Sequence, residues 1–493
     1  MITNRYLPTT VLLGTLLLLP AMQSAVAEES AEIDAVMEGF DDEAGTVDNV
    51  LDGFDEDAEG SNDLNGVLDG FGNDDSAAGG NTARSAAPPV KPKRLQLSGA
   101  AVLGTAYNFA HDEPQAGEPD YHGFSRLRAK LGLGLKIRIA KGWMGVIKGH
   151  AFHDFIYEIN GRDDYSDEVL EHYESEAEFD EVFLRGKLTP NFDIKLGRQI
   201  VVWGKSDNLR VTDLLNPMDQ RQMGQTDIEY LRLPVNMTRL DYYLGSWNLS
   251  GYLLHESRMD KRPTVGSDYY PFPMPMPQED VPDNNGADEY AVALNGNFSG
   301  WDLSLYGAHL YRDQPHTEMV PAVGMRLRHA ETDMVGGAIN IALGNWLLKG
   351  EAAHFDGMRY SSLPGEDKRR SDLLLGVEYS GFQDTSLSLE LVDRYSHDYD
   401  PLMAGDGIKE NMYETAVRYT GNFMHDTLEV TLLGTAFGEA GDGGGFTRLS
   451  AKYDLRDALE LTVGVINYYE GESIPFNAIA DNDRLFAQLK QSF

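Results

Sequence analysis

Between residues 124 and 140 the chain alternates by parity. Leu127, Ala129, Leu131, Leu133, Leu135, Ile137 and Ile139 take one side, and Arg126, Arg128, Lys130, Lys136 and Arg138 the other. Side chains of a β-strand point to opposite faces with period 2, so the run predicts a strand with one apolar and one basic face. Related runs recur along the chain, eighteen in all from 95–109 to 484–493, among them 143–159, 178–188, 192–204, 323–343 and 459–470. Their connections alternate in length. Short turns such as Lys141-Gly142, Gly245-Ser246 and Met424-His425 are interleaved with long segments near 110–123, 160–177, 205–236, 258–287, 313–322, 358–369, 397–410, 439–445 and 471–483. Short turns at one rim, long loops at the other and an even strand number that returns both termini to the turn side are the geometry of a transmembrane antiparallel β-barrel. The expected fold is therefore all-β, with about eighteen strands over 95–493. Sixteen would follow if 323–343 and the stretch before it were divided differently.

Charge decides which face meets lipid. A cation at the bilayer midplane costs about 2–4 kcal/mol on a barrel's outer wall, so five of them must point inward. Continuing the parity adds Lys148, Arg185, Lys187 and Lys195 to the predicted pore lining. Farther along, the inward candidates turn acidic: Glu289, Asp302, Glu351, Glu378, Glu390, Glu414 and Glu429. Opposed charged walls would set a field across a wet lumen and orient charged or dipolar solutes. The competing reading is that these charges pair through the lumen and close it; small inward residues such as Gly132, Gly134 and Ala291 favour open space. Trp143, Trp247, Trp301 and Trp346 each open the strand after a short turn. That is the position of an interfacial aromatic girdle.

Both ends of the chain agree. Arg5, the apolar run Val11 to Leu19 and Ala25-Val26-Ala27 fit a secretory signal over 1–27. The final segment Arg484-Leu-Phe-Ala-Gln-Leu-Lys-Gln-Ser-Phe493 alternates up to a terminal aromatic and resembles the C-terminal signal that the barrel assembly machinery of Gram-negative outer membranes reads. The chain has no cysteine, which excludes disulfides and cysteine metal sites.

A net charge of −38 alone would suggest a soluble acidic protein, but the charge is unevenly placed. From Glu28 to Ala83 there are eighteen Asp or Glu and no Lys or Arg, a composition expected to remain a disordered periplasmic tail. Residues 84–94 form a basic, proline-rich linker. Within the tail, the pattern Val-(Leu/Met)-(Asp/Glu)-Gly-Phe occurs three times and ends on Phe40, Phe54 and Phe71, 14 and 17 residues apart. That spacing is too short and irregular for a solenoid. The repeats read either as linear motifs that dock a periplasmic or inner-membrane partner through the three phenylalanines, or as a duplicated acidic spacer. Asp55, Asp57, Glu59 and Gly60 open like a calcium loop, but Gly66 stands where its closing Glu belongs.

The most distinctive internal stretch begins at Gly197-Arg198-Gln199. Simple alternation from Phe192, Ile194 and Leu196 would turn Arg198 outward, and a bulge at Gly197 would re-aim it. The loop to Asn236 mixes Asp207, Arg210, Asp213, Asp219 and Arg221 with Leu209, Leu214, Leu215 and Met218. Such a mixture predicts packing inside the lumen as a constriction. Gly197-Arg198-Gln199, Trp203-Gly204, Asn216-Pro217-Met218-Asp219 and Leu233-Pro234-Val235 together resemble the signature of a proteobacterial outer-membrane barrel family of unknown function whose members are often encoded beside exporters of the RND superfamily. The Gly-Arg-Gln strand is also distantly similar to the eighteen-stranded alginate export porin. The resemblance implies an outer-membrane conduit partnered with an exporter through its tail. A stand-alone uptake porin and a non-conducting structural or adhesin barrel are the alternatives.

Enzyme chemistry is not expected. His150, His153, His309 and His354 lie in or near strands, and no sequence motif pairs one with a nucleophile. No cofactor or metal is called for, and the acidic balance argues against nucleic acid.

Overall fold

The computed structural model describes residues 94–493, except 113, 115–118 and 284–288. The signal, the acidic tail with Phe40, Phe54 and Phe71, and nearly all of the linker lie outside the described residues.

Eighteen strands form one closed antiparallel sheet. In chain order they are β1 (Leu95–Asn108), β2 (Gly123–Ala140), β3 (Trp143–Asp154), β4 (Ser175–Thr189), β5 (Phe192–Gln199), β6 (Val235–Leu244) and β7 (Trp247–Leu254). After the two-residue β8 (Glu279–Asp280) follow β9 (Glu289–Phe298) and β10 (Trp301–Tyr311). The hairpin β11 (His316–Val320) and β12 (Gly324–Arg328) joins β8 in a separate small sheet. The wall resumes with β13 (Glu331–Leu343), β14 (Trp346–Met358), β15 (Lys368–Phe382), β16 (Thr385–His397) and β17 (Asn411–Phe423). It ends with β18 (Leu428–Phe437), β19 (Gly444–Arg456), β20 (Leu459–Tyr469) and β21 (Arg484–Ser492). Closure is direct, because β1 pairs with β2 on one side and β21 on the other. Phe493 seals the seam: its N–H donates to Gly99 O at 2.9 Å and its carbonyl accepts from Gly99 N at 2.8 Å. A Cβ at Gly99 would stand 2.6 Å from the Phe493 ring, so glycine is needed for this approach.

The expected alternation holds where lipid is expected. Leu131, Leu133 and Ile139 of β2, Leu97 and Leu103 of β1, and Leu373 and Leu375 of β15 are all exposed on the outside, an apolar belt far larger than a water-facing barrel carries. At the turn rim the tryptophans join an aromatic band. Trp301 stacks on Phe298 at 4.3 Å between centroids, and Trp346 lies 4.4 Å from Tyr379. Trp143 lies over Gly186 of the paired strand, where a Cβ would come within 2.4 Å of the ring.

Three strand boundaries differ by five residues or more from the sequence reading. The run 143–159 ends at Asp154, whose Oδ1 accepts from Leu127 N at 2.8 Å and Ile156 N at 3.3 Å, turning the chain into the helices α1 (Ile156–Asn160) and α2 (Asp167–Tyr173). The run 323–343 breaks between β12 and β13 around His329, whose ring bonds Arg312 O at 2.7 Å and Glu279 at 2.8 Å. The count stays at eighteen because β12 leaves the wall. The run 192–204 stops at Gln199, and Gly197 carries no bulge. Around Gly197 the register to β4 and β6 is unbroken, with φ at +119° instead.

Candidate pore and its internal loop

The segment 200–234 leaves β5 and crosses the lumen. Its start is knotted by Asn216, fully buried, whose Oδ1 accepts from Val201 N at 2.7 Å while Nδ2 donates to Gln199 O at 3.2 Å and Leu233 O at 2.8 Å. Asp213 accepts from Trp203 N at 3.2 Å and pairs with Arg232 at 2.8 Å. Trp203 stacks on Tyr306 of β10 at 4.6 Å, and the Gly204 N–H donates to the Tyr306 hydroxyl at 3.1 Å. Gln199, Trp203, Asn216 and Leu233, all from the motif-bearing stretches, therefore meet at one joint. Gly204 has φ +84°, and a Cβ there would stand 2.7 Å from the Glu351 carboxylate.

Two carboxylates of the far wall hold the next turn. Glu351 of β14 accepts from Lys205 N at 2.6 Å and Ser206 N at 2.8 Å through one oxygen, and from Thr212 N at 3.1 Å and Thr212 Oγ1 at 2.7 Å through the other. Glu390 of β16 accepts from Asp207 N at 2.9 Å, Asn208 N at 3.1 Å and Ser206 Oγ at 2.7 Å. Glu351 is 3% exposed and Glu390 1%, so neither lines open space as expected. The correction has a plain cause: an inward loop with unpaired N–H groups needs buried acceptors. Asp207 pairs with Lys349 of β14, and Lys349 reaches Glu378 of β15 at 3.4 Å. Arg210 donates to Asn216 O at 2.9 Å, and Arg394 of β16, clamped on Glu414, donates to Arg210 O at 2.8 Å.

The second half of the loop reaches two other parts of the wall. Asp219 receives both ends of the Arg221 guanidinium, at 2.9 and 2.6 Å, and Arg221 also meets Glu176 of β4 at 3.0 Å and His172 O at 2.5 Å. Burial opposes the charge of Arg221, yet Asp219 and Glu176 outweigh it and hold the guanidinium above its ordinary range. Asp260, in the loop after β7, accepts from Met218 N at 2.7 Å and Gln220 Nε2 at 2.9 Å; burial pushes its carboxyl up against the pull of the Met218 N–H. Asp227 pairs with Arg418 of β17 and Arg448 of β19, and Arg126 of β2 bonds Gln222. Strands from opposite sides of the barrel thus hold one loop.

The loop divides the lumen, leaving a cavity on either side. One, of about 340 Å³, is lined by Arg126, Arg128 and Lys130 of β2 facing Glu176, Glu178 and Asp180 of β4, with Asp219 and Arg221 from the loop. Much of this charge is paired: Arg128 with Asp154 at 3.2 Å, Lys261 with Glu178 at 2.7 Å, and Arg198, whose direction simple alternation missed, with Glu178 at 3.1 Å. The other cavity, of about 630 Å³, lies against β17–β19 and the loop after β20. Lys136, Arg138, Lys148, Arg185 and Lys187 lie nearer the turn rim and outside both linings. Lys148 meets Glu181 at 3.0 Å, Arg185 meets Asp193 at 3.3 Å, and Lys195 sits 4.0 Å over the Phe183 ring. Lys205 pairs with Asp302 at 2.5 Å. Glu289 is buried and accepts from Tyr311 N at 3.0 Å.

Sequence reasoning found no motif setting a histidine beside a nucleophile, but the wall assembles one arrangement across strands. Ser371 Oγ lies 2.9 Å from His354 Nδ1 and 2.8 Å from His397 Nε2. Neighbouring strands bring together residues far apart in sequence, which no linear motif records. Arg394, Arg418, Arg448 and Asn216 were likewise missed as loop anchors.

A closed eighteen-stranded barrel with an apolar outer belt, an aromatic rim and a loop folded into the lumen is a porin-type fold. It is similar to a BenF-like porin from Pseudomonas fluorescens Pf-5 (TM-score 0.50, 11% identity, covering 81% of this chain and 98% of that one). It is also similar to OccAB3 from Acinetobacter baumannii (TM-score 0.48, 11% identity, 81% and 99%). At that identity the likeness is one of fold. A family model described as a protein of unknown function, DUF1302, matches residues 117–493, and the chain belongs to that family. No curated protein matches it in sequence.

Proposed function

We propose that the protein is a channel of the Gram-negative outer membrane whose lumen is narrowed by residues 200–234, and that its N-terminal tail couples it to a periplasmic or RND-type inner-membrane exporter. The observation that carries the channel reading is the loop itself. It is pinned by buried carboxylates of the wall and flanked by two cavities, an arrangement suited to selecting solutes within a pore. The coupling rests on the sequence repeats ending at Phe40, Phe54 and Phe71 and their acidic flanks, since three linked weak sites bind with high avidity. Outer-membrane lipid and the assembly machinery are the remaining partners of this reading. A stand-alone uptake porin is the nearest competitor, and the dense ion pairing inside the lumen favours a third, closed barrel.

Two experiments separate these. Purified protein inserted in planar bilayers is expected to conduct ions, and silent bilayers holding heat-modifiable, inserted protein would favour the closed barrel. Cross-linking from residues 30–75 in intact cells is expected to capture an exporter component. Single alanine changes at the three phenylalanines should weaken capture modestly and the triple change by about a hundredfold. Equal capture by wild type and the triple variant, or none by either, would leave the tail a spacer and the uptake porin preferred.

A further inference from the structure

The inner wall of β18–β20 is apolar, as are inward positions of β6, β10 and β14 under the start of the internal loop. On β18 the outward Leu432 is followed by the inward, buried Leu433, and on β20 the outward Val465 is followed by the inward Ile466 and, two residues on, Tyr468. With Phe446 of β19 they form an apolar inner face where a porin lumen is expected to be polar. Part of this face is covered. Gly224 of the internal loop has φ +76°, and a Cβ there would stand 2.8 Å from Ile466 and 3.1 Å from Phe446. Phe476 and Ile479 of the last loop close over it, with Phe437 stacked on Phe476 at 5.0 Å. Packing the loops accounts for that part alone. Beside it stays the cavity of about 630 Å³, a size typical of small-molecule sites, bordered by Leu433, Phe437, Phe446 and Phe476 and by Met223 and Ile228 of the internal loop.

The charged part of the lining is chiefly anionic. Asp207, Asp227, Glu414, Glu439 and Asp442 face two cations, Lys409 and Arg418. Arg418 pairs with Asp227, Lys409 is shared between Asp442 and Glu472, and Lys349 and Arg394 neutralise Asp207 and Glu414 from behind the lining, so the carboxylate oxygens left to a solute are those of Glu439 and the partly compensated Asp442 at the rim. Aromatic rings and carboxylates together recognise an organic cation, by cation–π attraction and charge. We infer that this chamber is a binding site for an organic ammonium ion with an apolar or aromatic body, held on the apolar wall with its charge toward the acidic rim. The inference deepens the channel reading by naming a solute class and rests on that reading only for transport.

Binding is measurable without current. Calorimetric titration of the full chain in lipid nanodiscs, against empty nanodiscs, is expected to give benzyltrimethylammonium an affinity at least about tenfold above both tetramethylammonium and benzenesulfonate. Leu433→Trp, which projects an indole into the chamber across its apolar wall, should lower that preference. Glu439→Gln with Asp442→Asn, both on exposed loop positions, should weaken the ammonium probe about two- to fivefold and leave the sulfonate unchanged or tighter. If L433W fails to assemble, the rim double variant decides. Equal affinity for the three probes, or binding by both variants at the wild-type level, overturns the proposal. Silent bilayers with intact ammonium binding would instead remove the channel reading and keep the site.

Discussion

On the side of the internal loop toward β2–β4, the lumen is a lattice of facing cations and carboxylates around about 340 Å³. On the side toward β17–β19 and the loop after β20, leucine, isoleucine and phenylalanine border about 630 Å³. Both walls are made of the same pleated strands with lipid-facing residues at alternate positions, so the difference lies wholly in what the inward positions carry. In the charged half Arg128, Arg221 and Lys261 each have a carboxylate within hydrogen-bond reach, which fixes side chains and sets a field. In the apolar half the inward residues serve as a floor against which loops pack. The contrast shows that the inward positions of the wall set two environments and that residues 200–234 keep them apart.

The largest effect is expected from cutting the loop's tethers. Glu351 and Glu390 accept seven hydrogen bonds between them, and hydrogen bonds to a charged partner are worth about 1.5–3 kcal/mol each. Glutamine at both positions puts an NH2 donor against N–H donors. E351Q/E390Q should leave the barrel assembled and heat-modifiable while residues 204–212 gain hydrogen exchange or protease access, merging the two halves. Unchanged protection would mean that the Asn216 joint holds the loop alone.

A smaller effect is expected in the charged half. Replacing Arg126, Arg128 and Lys130 with glutamine leaves the carboxylates of β4 in excess, so cation-to-anion permeability measured by reversal potential should rise about several-fold. Because neighbouring charges are screened over roughly 8–10 Å near physiological ionic strength, the shift should shrink in high salt. No change in reversal potential would place the conducting path entirely on the apolar side.

The same contrast explains what could be read from the sequence. The strand count, the turn rim with its tryptophans, the basic face of β2 and the inward course of the third loop were all legible, because each is a local pattern of parity or composition. The apolar face of β18–β20 was not. Leu432-Leu433 and Val465-Ile466 put apolar residues on both faces, and alternation alone cannot distinguish a two-sided strand from an ordinary one. The acidic positions Glu351 and Glu390 were expected to line open space and instead hold the internal loop. Their parity is local, whereas the N–H groups they hold lie 139 to 183 residues away in the chain. Arg198 failed for a third reason, since a glycine at φ +119° redirects a strand without any insertion for a pattern to register.

The central claim is that residues 200–234 constrict a conducting lumen, and single-channel recording tests it most directly. Deleting Arg210 to Asp227 removes the strap between the two cavities and touches no rung of the strand ladder. The deletion variant should assemble, migrate as a heat-modifiable barrel and conduct about several-fold more than wild type, with the difference between ammonium and sulfonate solutes largely lost. Wild-type conductance in a correctly assembled deletion variant would contradict the account and place the ion path elsewhere than past this loop.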